Sequence, residues 1–347
     1  MNKILELFDE KTVRTLLEQE VLPLYPDFTE ILSLEIKPYK EFIWITTYHV
    51  VISYHLTLLN TAGEKNKLEI VCSAHSDEPR EVVFKVLKYL EKTDLSDDGI
   101  ALPRPLFFSS EYNGTFYRGV EGKHLLQIIK EGKKIKTKKI VMLAARLFAR
   151  LHNLKLPKDL NIFSDANYSL RTVVPGRDTI VRKIGNRFGD TYVHDISKLY
   201  DYFIAEEKKF FNSTSKRWLI HGDAHPENII SAGKDKIGLI DFTDFCPADF
   251  ARDLGTFMQQ LEYQIMCYFN DQVLASAMKQ LFLRSYLEHS GLDLNKSLQA
   301  RIDLYYNWTA IRTAVFWLLK YDCEPDKAAT NIDRVKNNLI TKYHAQD

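Results

Sequence analysis

Apolar residues recur along the chain with two different periods, and the change between them separates a strand-rich front from a helix-rich back. Ile4, Leu5, Phe8, Leu16, Leu17 and Val21 fall at helical spacing, so a helix is expected over residues 3–22, stopped by Pro23 and Pro26. From residue 31 to 74 β-branched and aromatic residues take over. Strands are expected at 31–36, 42–59 and 68–74, separated by Lys37-Pro38-Tyr39-Lys40 and by the polar stretch 61–66. Gly63 makes the second separator a hairpin turn. Pro79 opens a helix over 80–92 with Val82, Val83, Val86, Leu87 and Leu90 on one face. A further hairpin is expected from 106–108 and 116–120. The front is thus a sheet of about five strands with one inserted helix.

After Glu121-Gly122 the pattern becomes helical, most clearly at 140–154, 196–211 and through most of 250–342. Residues 155–195 carry no clear period. A short β island, 218–242, lies between the helices. The expected fold class is α+β and bilobal, with a small β-rich N-lobe (1–120) and a larger, mostly helical C-lobe (121–347). A cleft between lobes is where ligands usually bind.

Composition narrows the function by exclusion. Among 347 residues, Lys and Arg number 47 against 46 Asp and Glu, so no basic field points to nucleic acid. Cys72, Cys246, Cys267 and Cys323 form no CxxC pair, which suits a reducing compartment better than a zinc cluster or disulfide framework. The first ten residues interleave acids with apolar side chains, unlike a signal peptide. Residues 42–59 are apolar but contain Thr, Tyr, His and Ser, and read as strand, not as a membrane span. A cytoplasmic protein is expected, with no membrane or nucleic-acid partner, as a monomer or a homodimer.

The chemistry concentrates in His221-Gly222-Asp223-Ala224-His225-Pro226-Glu227-Asn228 and in Ile240-Asp241-Phe242. Apolar runs at 229–231 and 237–240 flank a polar turn containing Gly233, a hairpin signal. That hairpin would place Asn228 at its entry and Asp241 at its exit, at the same end. A carboxylate and an amide oxygen so placed can share a hard cation such as Mg²⁺. Asp223, on the preceding loop, overhangs the same spot. Phosphoryl transfer needs such a set: one carboxylate to orient the acceptor hydroxyl and two oxygen ligands for the metal on the phosphates. His221 is expected to be a structural loop residue. His221 and His225 have the spacing of a zinc pair, but Gly222 and Pro226 spoil the helix such a pair needs.

These motifs resemble the aminoglycoside phosphotransferase and choline kinase group, small-molecule kinases with a protein-kinase-like fold. The resemblance extends to Glu121-Gly122-Lys123-His124-Leu125, just past the hinge, and to Leu147-Phe148-Ala149-Arg150-Leu151-His152. It also takes in Asp249-Phe250-Ala251-Arg252-Asp253-Leu254-Gly255. It implies ATP, with GTP as an alternative, and Mg²⁺ as cofactors. By the same likeness Asp223 is the catalytic base, Asn228 and Asp241 are the metal ligands, and Asp253 supports the catalytic loop. The hinge backbone at Tyr117, Gly119 and Val120 is expected to meet the nucleotide.

Two departures stand out. The first separator, Lys37-Pro38-Tyr39-Lys40-Glu41, has no glycine with which to approach a phosphate closely. The third strand lacks the expected basic residue. His75 with Glu81 is the nearest substitute, and Lys40 or Lys67 could supply the charge instead. This gap keeps open a nucleotide-binding pseudokinase or sensor as the reading from another class. For the acceptor, Asp303, Tyr306 and Trp308, with Arg312 a turn on, set aromatics and an acid on one helix, and Asp244 and Glu262 are further acids. Aromatics with carboxylates can hold a cation. A hydroxyl of an aminoglycoside or amino sugar, hence antibiotic resistance, is the leading expectation, ahead of choline or ethanolamine, homoserine and neutral sugars.

Overall fold

The computed structural model describes residues 2–78, 80–96, 99–163 and 168–344, with the side chains of 340–344 not described. In chain order its first elements are α1 (Glu10–Glu20), β1 (Phe28–Ile43), β2 (Tyr48–Asn60), β3 (Lys65–His75) and α2 (Glu81–Leu90). Then come β4 (Ile100–Ala101), β5 (Arg104–Ser109), β6 (Gly114–Arg118), β7 (Lys123–His124), α3 (Leu125–Lys130) and α4 (Lys134–His152). They are followed by α5 (Arg177–Phe188), α6 (Val193–Ser213), β8 (Trp218–Ile220), β9 (Ile229–Ser231), β10 (Ile237–Leu239) and β11 (Cys246–Ala248). Four helices end the chain: α7 (Ala251–Phe269), α8 (Gln272–Ser290), α9 (Lys296–Leu319) and α10 (Pro325–His344). The fold class is α+β, a sheet-rich N-terminal region followed by a helical C-terminal one. No helix among the described residues is long and apolar enough to cross a membrane.

The chain forms two compact units. The first holds residues 1–122, 159–163 and 232–243. Its five-stranded sheet has the order β1-β2-β3-β6-β5 and is antiparallel throughout. Alternate residues of β2, among them Val50, Ile52, Tyr54, Leu56 and Leu58, are buried against α1 and its preceding 3₁₀ turn, as a sheet with one covered face requires. The expected N-terminal helix is split, because the Asp9 side chain accepts the Thr12 N–H at 2.8 Å and starts α1 afresh.

One expected loop is not a loop. β1 runs unbroken through Lys37-Pro38-Tyr39-Lys40, and the turn to β2 falls instead at 44–47, where the Trp44 N–H meets the Thr47 carbonyl at 2.9 Å. Pro38 is tolerated because β1 is an edge strand, and the pairing slips in register between Pro38 and Lys40. Elsewhere in this unit the turn after Ser231 closes through Ala232 N–H to the Lys236 carbonyl at 3.0 Å, and β10 runs parallel to β4.

The second unit holds residues 123–158, 164–231 and 244–347. It is helical apart from two short pairings, β7 with β9 and β8 with β11. α7 and α9 cross at Gly255, where an added Cβ would stand 2.6 Å from the Ile302 carbonyl oxygen and from the Tyr306 nitrogen. Any side chain there would force the two helices apart.

Candidate active site

In the second unit the loop after β8 holds the residues expected to carry the chemistry. Gly222 sits at φ +83°, and an added Cβ would lie 2.2 Å from the Asp244 carbonyl oxygen. Only glycine lets this backbone cross so closely. The loop is held from behind by Asp253 in the first turn of α7, which is fully buried. Its carboxylate accepts the His221 N–H at 2.7 Å and the Gly222 N–H at 2.9 Å, and meets His152 Nε2 at 3.1 Å. The other nitrogen of His152 meets the Tyr286 hydroxyl at 2.9 Å. Burial by itself would raise the Asp253 carboxyl, but the bond and charge of His152 and the His221 N–H hold it below the ordinary value. Asp253 is therefore an anion that holds the loop backbone on one side and is held by His152 on the other.

Asp223 stands in front of that support, with Oδ2 3.2 Å from His225 Nε2. The Glu227 N–H lies 3.2 Å from His225 Nδ1, which places the ring proton on Nε2, toward Asp223. Its partly dry setting would raise the Asp223 carboxyl, yet the His225 hydrogen bond, with His221 and Arg312 adding charge, holds it far below the usual range. Asn228 is buried, and its Nδ2 donates to the Asp223 carbonyl at 2.9 Å. Its Oδ1 takes no hydrogen bond among the described residues.

Asp241 belongs to the first unit. It adopts φ +62°, left-handed backbone that is uncommon for a residue with a side chain. Its Oδ1 accepts the Thr243 hydroxyl at 2.7 Å, and the residue is exposed. Burial, with the charge of Asp241, pushes the Tyr117 phenol well above its ordinary value. Oxygen donors such as Asn228 and Asp241 suit magnesium in chemical type.

The pairing expected between His75 and Glu81 does not form. Glu81 bonds Lys85 at 3.0 Å, one turn along α2, and His75 Nδ1 accepts the N–H groups of Asp77 and Glu78, each at 3.1 Å. The His75 ring instead lies 4.8 Å from that of His49, whose Nε2 is 3.4 Å from Lys40 Nζ. Burial, then the charges of Lys40 and Arg80, lower His49 to about 4, so it is neutral at pH 7. Arg80, 5% exposed, is a residue that the search for a basic side chain on β3 passes over, because it lies just before α2. Gly119 and Val120 follow β6, and the Gly119 N–H points to the Glu69 carbonyl at 3.4 Å.

A cavity of about 370 Å³ opens in front of Asp223 within the second unit. It is lined by a stripe of α7, including Arg252, Thr256 and Gln260, and by a stripe of α9, including Trp308, Arg312 and Phe316. Of the side chains put forward for an acceptor, Asp244, Trp308 and Arg312 line it, and Glu262, Asp303 and Tyr306 do not. Glu262 is taken up by Lys279, the Tyr306 hydroxyl and Gln272, and Asp303 accepts Gln299 at 2.8 Å. The i, i+4 series Trp308, Arg312, Phe316 was the signal for the correct face of α9.

The architecture and this loop define a small-molecule kinase. The profile of the phosphotransferase enzyme family (APH) matches residues 70–275, and the chain belongs to that family. It is a phosphotransferase acting on a small-molecule hydroxyl. None of the curated proteins matches it significantly in sequence. Among solved structures it is similar to an ethanolamine kinase of Plasmodium vivax, at 19% identity over 94% of this chain and 89% of that one, TM-score 0.55. It is similar to a choline kinase of Cryptosporidium parvum Iowa II, at 13% identity over 96% and 97%, TM-score 0.55. A streptomycin–ATP complex of APH(2″)-IIa matches at 14% identity over 95% and 96%, TM-score 0.54. At these identities the likeness is one of fold.

Proposed function

We propose that the chain transfers the terminal phosphoryl group of ATP to the hydroxyl of a small molecule, with Asp223 as the group that aims the hydroxyl and takes its proton. The observation that carries this reading is the placement of Asp223 on the cavity wall, on a loop whose backbone is fixed by the buried Asp253. An acceptor in the cavity donates its O–H to the ionised Asp223. Its oxygen attacks the terminal phosphorus as the bond to the leaving diphosphate breaks, and the proton passes to the Asp223 carboxylate. His225 keeps that carboxylate oriented and charged. Asn228 and Asp241 would hold Mg²⁺, which when bound neutralises charge on the phosphates. Lys40 and Arg80 support the phosphates in the role sought for a β3 lysine.

The acceptor reading stops at the hydroxyl. Similar structures are named for ethanolamine, choline and streptomycin, and cationic acceptors of those kinds are the reading they favour. Glu262, Asp303 and Tyr306, three of the side chains expected to hold a cation, lie off the cavity wall.

The test is release of nucleoside diphosphate from ATP or GTP, with and without Mg²⁺, across a panel of hydroxyl acceptors. Asp223→Ala should lower turnover roughly 10²- to 10⁴-fold while nucleotide still raises the melting temperature. Turnover that survives this substitution would remove Asp223 from its role. Nucleotide binding without turnover on any acceptor would favour the sensor instead.

A further inference from the structure

The cavity wall carries the carboxylates of Asp223, Glu227 and Asp244 and the guanidinium groups of Arg252 and Arg312. Arg252 is buried among Glu207, Asp253 and Asp244, so its charge and that of Asp244 answer one another inside the protein. Glu227 is exposed. Arg312 differs from both. It extends from α9 onto the wall, its guanidinium 5.6 Å from the centre of the Trp308 ring. Its Nη1 is sealed from solvent and has no hydrogen-bond partner among the described residues.

A buried guanidinium nitrogen without an acceptor is costly, and it is satisfied best by a planar anion that can take two parallel N–H bonds. Trp308, braced by Tyr200 at 4.8 Å between ring centres, holds the Arg312 stem in place. Arg312 and Asp223 both line the same cavity. An anion on Arg312 would therefore sit within the length of a small molecule from the reacting hydroxyl.

We infer that the acceptor is a small hydroxyl compound bearing a carboxylate, and that Arg312 binds this carboxylate while Asp223 takes the hydroxyl. The inference rests on the kinase reading of the same cavity and assigns its specificity. It points to hydroxy acids and hydroxy amino acids, and away from acceptors whose recognition depends on positive charge alone.

Matched pairs of probes differing in the carboxylate test it: glycerate against glycerol, serine against ethanolamine, and homoserine against 3-aminopropanol, with an aminoglycoside as the cationic arm. For wild type, kcat/KM should favour the carboxylate member of at least one pair by about ten- to a hundredfold. Arg312→Gln should erase that ratio mainly through KM, and Arg312→Lys should restore part of it. Equal or better turnover of the neutral and cationic members would overturn the inference. So would an Arg312→Gln variant that loses every acceptor alike with a raised nucleotide KM, since Arg312 would then serve the phosphates. If nothing turns over, the kinase reading fails separately, and the melting temperature decides. A carboxylate-dependent rise present in wild type and absent in Arg312→Gln upholds the site, and no rise with any carboxylate probe removes it.

Discussion

The loop after β8 and the corner between β3 and α2 both present polar groups suited to phosphoryl transfer, but they are held in opposite ways. Behind the loop, Asp253, His152 and Tyr286 form a buried chain in which each polar atom meets a defined partner. At the corner the backbone is pinned, with Thr115 bonding the Arg80 carbonyl and the Arg80 N–H reaching Asn113 at 3.2 Å. The guanidinium is not: Nη1 meets only the half-exposed Glu78 at 3.3 Å, and Nε, shut off from water, has no partner among the described residues. A group that must orient a proton acceptor is built rigid before substrate arrives. A group that must meet a phosphate keeps donors in reserve for it.

The most severe way to break this contrast is Asp253→Ala. It strands two backbone N–H groups and the His152 ring in a dry interior, at about 1–3 kcal/mol for each lost partner. A loss of about 3–5 kcal/mol in urea unfolding is expected, with activity falling at least as far as in Asp223→Ala. A variant of unchanged stability and rate would show that the loop does not depend on its support.

Next in size is Glu207 on α6, buried behind Arg252 and bonded to the Leu170 N–H at 2.7 Å and the Tyr305 hydroxyl at 3.0 Å. Burial pushes its carboxyl up to about 7. Between its unfolded value and 7 the folded chain holds a proton that the unfolded chain releases, so stability falls as pH rises through that window and levels off above it. The loss should be on the order of 2–3 kcal/mol from pH 5 to 8, and Glu207→Gln should remove most of it in melts taken across that range. A wild type and variant with parallel pH profiles would mean that Glu207 is already ionised, and the helical unit less dry than its packing implies.

The strand and helix periods on either side of residue 122 made the two kinds of structure readable, because burial on one face writes itself into local spacing. The motif around Asp223 is contiguous in the chain and could be located from spacing alone. What spacing missed depends on contacts distant in sequence. Pro38 looked like a turn until β1 proved to be an edge strand. Asp303, Tyr306 and Trp308 share a helix, and only the crossing of α7 at Gly255 decides that Trp308 and Arg312 face the cavity while Tyr306 meets Glu262. Arg80, which we propose for the missing cation, escaped because that cation was sought on a strand and Arg80 stands at the start of a helix.

Arg80→Gln carries the smallest expected effect and bears most directly on the corner. The bonds to Thr115 and Asn113 are made by the main chain of residue 80 and do not depend on its side chain, so the fold should be retained within about 1 kcal/mol. What it removes is a charge-assisted donor, and the nucleotide KM should rise about tenfold with kcat changed far less. His49 supplies an internal check. Arg80 is one of the charges that keep this imidazole neutral, so its apparent pKa by NMR should move upward, toward the ordinary histidine value, in the variant. A raised KM with an unmoved His49 would mean that the substitution acts through packing; a moved His49 with an unchanged KM would leave the corner basic but idle, and return the search for the phosphate's partner to Lys40.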